Sequence, residues 1–347
     1  MTPISRAILF RVGGLGDLLV ALPAVSLVRR SIPDARLTLV GRPEYAALLK
    51  LAGIVDEVTA FDDPRMATIF AHAGGPIDHG NKRSGPEEED KNSAPYFDSG
   101  RRAVGKSEAA SLKQYDLALG WLNQRSEWPA EEWWRREGIG RAFFAFHESG
   151  ASGPMSRFFF DRTRQFLALS DPDDQFDECA RLTLDRGLVE RALDSLGLRP
   201  LGAAGRRLVV HPGSGGRAKR WPLRNFMAII EQAAARGLEG VLVTGEAEAD
   251  IESEIRRTAL PAGWSHAACL DAETVAGLLA GSTHYLGNDS GPTHLAAACG
   301  ASVIAVFPDA SLPDWRPFGR THVLSTPAVE QVPLEAVRAA LDDSLGA

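Results

Sequence analysis

The stretch His284-Tyr285-Leu286-Gly287-Asn288-Asp289-Ser290-Gly291-Pro292-Thr293-His294-Leu295-Ala296-Ala297-Ala298 decides the architecture. It reads as a short buried strand, a tight polar turn and a helix that opens at Pro292, since proline is favoured at a first helical position. Ser290 or Gly291 ahead of it leaves backbone N–H groups pointing outward. Those amides and the helix dipole form a site for an anion, most simply a phosphate. Asp289 stands beside that site, where a carboxylate is badly placed unless it serves sugar hydroxyls. An ordinary strand–turn–helix with an Asn-Asp turn has the same local pattern. The rest of the chain has to separate the two.

Upstream, Arg207-Leu208-Val209-Val210-His211 reads as a strand, followed by the loop Pro212-Gly213-Ser214-Gly215-Gly216-Arg217-Ala218-Lys219-Arg220-Trp221-Pro222. Its glycines let backbone N–H groups approach an oxyanion, and Ser214 adds a hydroxyl. Lys219 supplies a point positive charge for a leaving diphosphate. The spacing is not that of a P-loop. The strand Gly240–Thr244 ends in Gly245-Glu246-Ala247-Glu248. An acid just past a strand end suits ribose hydroxyls, although acids at helix starts are also common for the dipole alone. Ser302–Phe307 is a further strand, residues 308–319 form a loop holding Asp314, Trp315 and Arg316, and a helix over 333–345 closes the chain.

The first half repeats the theme. Ala7-Ile8-Leu9-Phe10-Arg11 is a compact apolar run expected of a buried parallel strand. Val12-Gly13-Gly14-Leu15-Gly16-Asp17 follows, then a helix from Leu18 to Arg30. The glycines lack the G-x-G-x-x-G spacing of a dinucleotide site. Asp17 is either a helix N-cap or a catalytic base at the mouth of the strand ends, and one residue can do both. A strand over 36–40, a helix over 43–51 and a strand over 57–60 continue the alternation, which argues for a parallel sheet covered by helices. Residues 72–113 are too polar to build a core and read as a surface insertion, with a flap over an acceptor pocket, its Lys82, Arg83, Arg101, Arg102 and Lys106 meeting acidic groups, as the alternative. Strand character returns at Tyr115–Gly120 and Phe143–Phe146. The tryptophans between Trp121 and Trp134 are assigned to core packing, with a groove for sugar or lipid as the alternative. Helical pattern covers 156–169 and 177–196, Asp171-Pro172-Asp173 reads as a turn, and Arg199–Gly205 as a linker.

The chain has 347 residues, 44% apolar and 24% charged, enough for two domains of a globular protein. No apolar run approaches the roughly 18 residues that span a bilayer, and Met1–Arg6 leads straight into a strand rather than a signal peptide. Cys179, Cys269 and Cys299 lack metal spacing and read as small core residues of a reducing compartment. Residues 1–170 carry 22 Lys/Arg against 21 Asp/Glu, and residues 171–347 carry 16 against 24. Neither half offers a basic field to nucleic acid, so a phosphorylated ligand must be held by local donors. The reading is a cytoplasmic protein, with peripheral contact to the inner membrane through basic side chains as the alternative.

Three motifs, Arg11–Asp17 with Leu22-Pro23-Ala24, His211–Ser214 with Lys219–Pro222, and Gly287–Ala298, together resemble glycosyltransferase family 9, the lipopolysaccharide heptosyltransferases. The resemblance implies a GT-B fold: two Rossmann-like α/β domains with parallel sheets facing a central cleft. The acceptor-binding domain would be residues 1–170, a linker region 171–205, and the donor-binding domain 206–347, its last helix a candidate to pack back on the first. The implied activity is inverting, metal-independent transfer of heptose from ADP-heptose to a lipopolysaccharide core acceptor, with no cofactor. By position, Asp17 resembles the general base. Ser214 and Lys219 match residues that hold the donor phosphates, within a donor set that also includes His211 and Gly215. Glu248 resembles the ribose acid, with Glu246 a competitor. Asp289 and His294 match positions near the heptose, and Ser290 and Gly291 offer amides to the diphosphate. Gly13, Gly14, Leu15 and Gly16 fall on the acceptor side. The alternatives are a family member using another nucleotide-sugar and glycan acceptor, a nucleotide-sugar epimerase, and a non-catalytic binding protein.

Overall fold

The computed structural model describes residues 3–66, 112–122, 129, 131–150, 153–169 and 175–346. The polar insertion expected over 72–113, apart from its last two residues, lies outside these, as do Trp128 and the Asp171-Pro172-Asp173 turn.

Two parallel sheets organise the chain. In the first, β1 (Arg6–Phe10), β2 (Arg36–Gly41), β3 (Glu57–Ala60), β4 (Leu117–Leu122) and β5 (Arg141–Phe146) run in the order β3-β2-β1-β4-β5. In the second, β6 (Arg207–His211), β7 (Glu239–Thr244), β8 (Trp264–Ala268), β9 (His284–Asn288), β10 (Ser302–Pro308) and β11 (Thr321–Thr326) run β11-β10-β9-β6-β7-β8. The central strands β4, β6 and β9 are buried along their whole length, as expected where both faces are covered. β8 and β11, which lie at the edges, are mostly half-buried and carry polar residues that mask them in the sequence.

Three of the tryptophans pack as expected. Trp121 lies in β4 and donates to Thr163 Oγ1 at 2.8 Å, and Trp134 stacks on Phe144 at 5.0 Å and meets Trp133 edge-on at 4.8 Å. Cys179 is buried, but Cys269 departs from expectation. It is exposed, just past the end of β8, with φ at +52°.

The helices Met155–Phe166 and Phe176–Cys179 pack on Leu15–Ser31 of the first domain. The chain then crosses over. Leu182 N donates to Ala298 O at 2.9 Å, and the helix Arg186–Ser195, capped by Asp185, packs on Ala272–Ala280 of the second domain. That contact is tight: a Cβ on Gly277 would sit 2.4 Å from Ala192 Cβ. Residues 171–205 are therefore no single linker, and part of them is an integral helix of the second lobe. The helical stretch read over 177–196 is broken for the same reason.

The final helix, Leu334–Gly346, does not take the position considered for it on the first domain. It packs on the second sheet, burying Val337, Ala340 and Leu341 beside Leu223–Ala235. Asp342 holds it there, accepting from Gln232 at 2.9 Å and Arg236 at 2.8 Å. Its inward face matches the apolar surface that β10 already presents. Among the described residues no helix is long and apolar enough to cross a membrane.

Candidate active site

The loops leaving β1, β6, β7 and β9 all emerge at carboxyl ends of strands, where open α/β sheets collect ligands. In register, His211 of β6 lies opposite Gly287 of β9, and Asn288 opposite Val306 of β10, so the loops begin at one level. Asn288, fully buried, ties two of them together. Its Nδ2 donates to Pro212 O at 2.8 Å and its Oδ1 accepts from Trp221 N at 3.0 Å. The Pro212–Trp221 loop is thereby pinned to the β9 turn.

The helix Gly291–Ala298 starts at Ser290, which is extended and makes no side-chain cap. Facing it is the start of Leu15–Ser31. A Cβ on Gly291 would lie 2.9 Å from Leu15 Cβ and 3.2 Å from Gly16 N, so the two helix starts meet through glycine. Between the domains lies a cavity of about 440 Å³. The first domain contributes Gly14, Leu15 and Gly16 to its lining, and the second contributes Ser290, Gly291, Ser214 and Gly215. Glu246, Glu248 and His211 line it as well, and Val243, Leu270, Val275 and Tyr45 add apolar side chains to the lining. Its size and mixed lining are those of a small-molecule site.

Of the residues singled out in the sequence, His211, Ser214, Gly215, Glu248, Ser290 and Gly291 line this cavity together with Gly14, Leu15 and Gly16. Gly13, Asp17, Lys219, Asp289 and His294 stand behind or beside its walls. Asp17 lies on the first turn of its helix, where it accepts from Gly14 N at 3.0 Å and pairs with Arg11 at 3.0 Å. Gly13, at φ +137°, is needed for this fold-back, since a Cβ there would sit 2.6 Å from Asp17 Cγ. Asp17 is therefore not the N-cap, which is Gly14, but the third helical residue reaching back to the Gly14 amide, and its side chain is not among those lining the cavity.

Lys219 was expected to hold phosphate directly. Here its ammonium meets Asp289 Oδ2 at 2.6 Å, while Ser214 Oγ donates to Asp289 O at 2.8 Å. This pairing removes the difficulty of a carboxylate beside an anion site, because Lys219 neutralises it. Glu248 is buried, which by itself favours its neutral form. His211, the Gly245 amide at 2.8 Å and Arg220 outweigh that and hold its carboxyl below the usual range.

Glu248 also packs beneath Gly213, where a Cβ would fall 2.1 Å from its Oε1. We expect Gly213→Ala to cost about 1–3 kcal/mol of stability, the usual range for overpacking. Gly215→Ala, with no atom within 4 Å of the new Cβ, should leave the unfolding midpoint unchanged. Thermal denaturation of the two variants checks this.

His294 is 1% exposed, and among the described residues neither ring nitrogen has a hydrogen-bond partner. Burial drives its pKa down to about 4 from 6.5; Asp289 and Asp17 oppose the shift and Lys219 adds to it. The imidazole is neutral at physiological pH. Because the folded value lies below the unfolded one, this contribution to stability is complete above pH 6.5 and is lost as pH falls toward 4. Melting temperature should therefore decline across that window in the native protein and decline less in His294→Gln. Equal slopes would refute the assignment.

Sequence reasoning assigned no role to Arg11, Asn288, Tyr45 or Trp315. Arg11 is 2% exposed; its Nε donates to Asp17 O at 2.6 Å and its Nη1 to Trp121 O at 2.8 Å. An arginine closing an apolar strand was the available signal. Trp315 lies 6.2 Å from the His294 ring, and nothing in its loop announced that contact.

Two parallel α/β domains closing strand ends over a cavity that includes a bare helix N-terminus define a glycosyltransferase fold of GT-B type. Residues 144–333, more than half of the chain, match glycosyltransferase family 9 (heptosyltransferase), and the chain belongs to that family. It is a glycosyltransferase. Among solved structures it is similar to a family 9 glycosyl transferase from Veillonella parvula DSM 2008, with 12% identity, 98% of this chain and 97% of that one covered, and a TM-score of 0.70. It is also similar to ADP-heptose lps heptosyltransferase II from E. coli, with 15% identity, 98% of each chain covered and a TM-score of 0.68. For the E. coli heptosyltransferase WaaC with ADP, the identity is 17%, coverage 98% and 99%, and the TM-score 0.65. No curated protein matches the chain in sequence.

Proposed function

We propose that this glycosyltransferase transfers a heptose from ADP-heptose to a hydroxyl of a lipopolysaccharide core acceptor, with inversion at the anomeric carbon. The observation that carries the reading is the cavity in which the Ser290–Gly291 helix start faces Gly14–Gly16 across the domain boundary. Its lining carries each kind of group that ADP calls for: apolar side chains for a base, Glu248 or Glu246 for ribose hydroxyls, and backbone amides for a diphosphate. The similar WaaC structures hold ADP and ADP-2-deoxy-2-fluoro heptose.

In this reaction the acceptor oxygen bonds to the anomeric carbon while the bond from that carbon to the phosphate oxygen breaks. Asp17 takes the acceptor proton, and ADP leaves with the bonding electrons. The Ser290 and Gly291 amides receive the growing negative charge, and Lys219 cancels the Asp289 charge beside it. The two halves of the chemistry sit on different domains, so closure assembles them. The proposed setting is the cytoplasmic face of the inner membrane, with peripheral contact only.

A donor-by-acceptor screen for ADP release tests the proposal. ADP-heptose with truncated core lipid should give the fastest release. Release without acceptor, or preference for another nucleotide-sugar, would overturn it.

A further inference from the structure

The short helix Leu312–Trp315 touches both domains at once. Asp314, 7% exposed, belongs to the second domain, yet its carboxylate is satisfied from the first. Its Oδ1 accepts from Gly150 N at 2.8 Å, its Oδ2 accepts from Ser149 Oγ, and His147 Nε2 stands 3.9 Å away. A buried carboxylate is costly unless hydrogen-bonded. Here the bonds exist only when the β5 loop and the β10 loop are together. Once the domains part, water must replace them.

The next residue extends the contact into the site. Trp315 lies edge-on to His294 at 6.2 Å, and a Cβ on Gly16 would fall 3.8 Å from its ring. The ring therefore fills the corner between the first-domain helix start and the buried histidine.

We propose that Asp314 is a positioning residue for the transfer reaction. By binding the Ser149–Gly150 turn across the boundary, it sets the register of the closed domains and seats Trp315 against His294 and Gly16. It touches no reacting atom. Its effect is on how well the first-domain base is aligned with the second-domain donor, where a displacement near 1 Å costs on the order of 100-fold.

The kinetic consequences rest on the reading of the site given above. Asp314→Ala should lower kcat roughly 10- to 100-fold, with the donor KM changed by no more than about twofold. Ser149→Ala should lower kcat in the same direction, and the double variant should be no slower than Asp314→Ala alone. Asp314→Asn should recover most of the rate, because an amide can accept from Gly150 N and donate to Ser149 Oγ. An unchanged kcat in Asp314→Ala, losses that multiply in the double variant, or an Asn variant as slow as the Ala variant would each overturn the proposal.

A second arm needs no turnover. Small-angle X-ray scattering should give Asp314→Ala a larger radius of gyration than the native protein, with ADP present in both. Equal radii would overturn the latch. If the native protein fails to turn over ADP-heptose, the assigned reaction falls while this measurement still decides the role of Asp314. Ser149→Ala, which removes one hydroxyl at the surface, keeps both arms informative should Asp314→Ala fold poorly.

Discussion

Replacing Asp17 with asparagine is expected to reduce turnover by about 10²–10⁴-fold, the range associated with loss of a general base. Asparagine keeps the size of the side chain and can still accept from the Gly14 amide, so the turn it caps should survive. What it loses is the capacity to take a proton. The proposed donor cradle is built mainly by the other domain, so ADP affinity should stay within about twofold by titration calorimetry, the split expected when an interaction made only in the transition state is removed. A secondary effect follows from Arg11. Burial pushes the Arg11 pKa down and the Asp17 charge raises it, so the neutral variant takes the Asp17 charge away from a buried guanidinium. Thermal stability should fall as well, and assays belong below the new unfolding midpoint. Near-normal turnover in folded Asp17→Asn would remove Asp17 from the base role.

The second large effect is at Lys219. Lys219→Ala should lower turnover by about 10²–10³-fold, as for loss of one electrostatic stabiliser, and it should also raise the donor KM. The reason differs from that of a simple phosphate contact. Asp289 is 7% exposed and meets Lys219 at 2.6 Å, so removing the ammonium leaves a buried carboxylate beside the proposed diphosphate site. Adding Asp289→Asn to Lys219→Ala should therefore recover part of the donor affinity. A double variant that binds donor no better than Lys219→Ala would mean that Lys219 acts on the phosphates alone.

The parts of this architecture visible in the sequence are those carried by local chemistry. The apolar runs at Ala7–Phe10 and Leu208–Val210 admit little but buried parallel strands, and the proline after Ser290–Gly291 marks a helix start. β8 and β11 escaped because edge strands are half-buried and tolerate Ser265, His266 and Thr321, which blur the apolar signal. The crossing between domains escaped because Leu182 and the helix after it look like the continuation of one amphipathic segment. Their partners, Ala298 and Ala272–Ala280, are about a hundred residues away.

The same limit applies inside the site. Most of the polar and glycine residues that line the cavity sit within motifs, so their identities were readable one loop at a time, whereas Tyr45, Leu270 and Val275 lie outside them. Their pairings were not. Lys219 and Asp289 are 70 residues apart, and Ser149 and Asp314 165 apart. No local pattern could state that a lysine assigned to phosphate also neutralises an aspartate, or that a loop aspartate is satisfied from the opposite domain. Composition placed no constraint on either.

The central claim is that a diphosphate rests on the bare helix start at Ser290–Gly291, across the cleft from Asp17. A crystal structure of the protein with ADP tests it most directly. The account predicts phosphate oxygens within hydrogen-bond distance of the Ser290 or Gly291 amides, with the ribose beside Glu248 or Glu246. A diphosphate bound away from that helix start would contradict it.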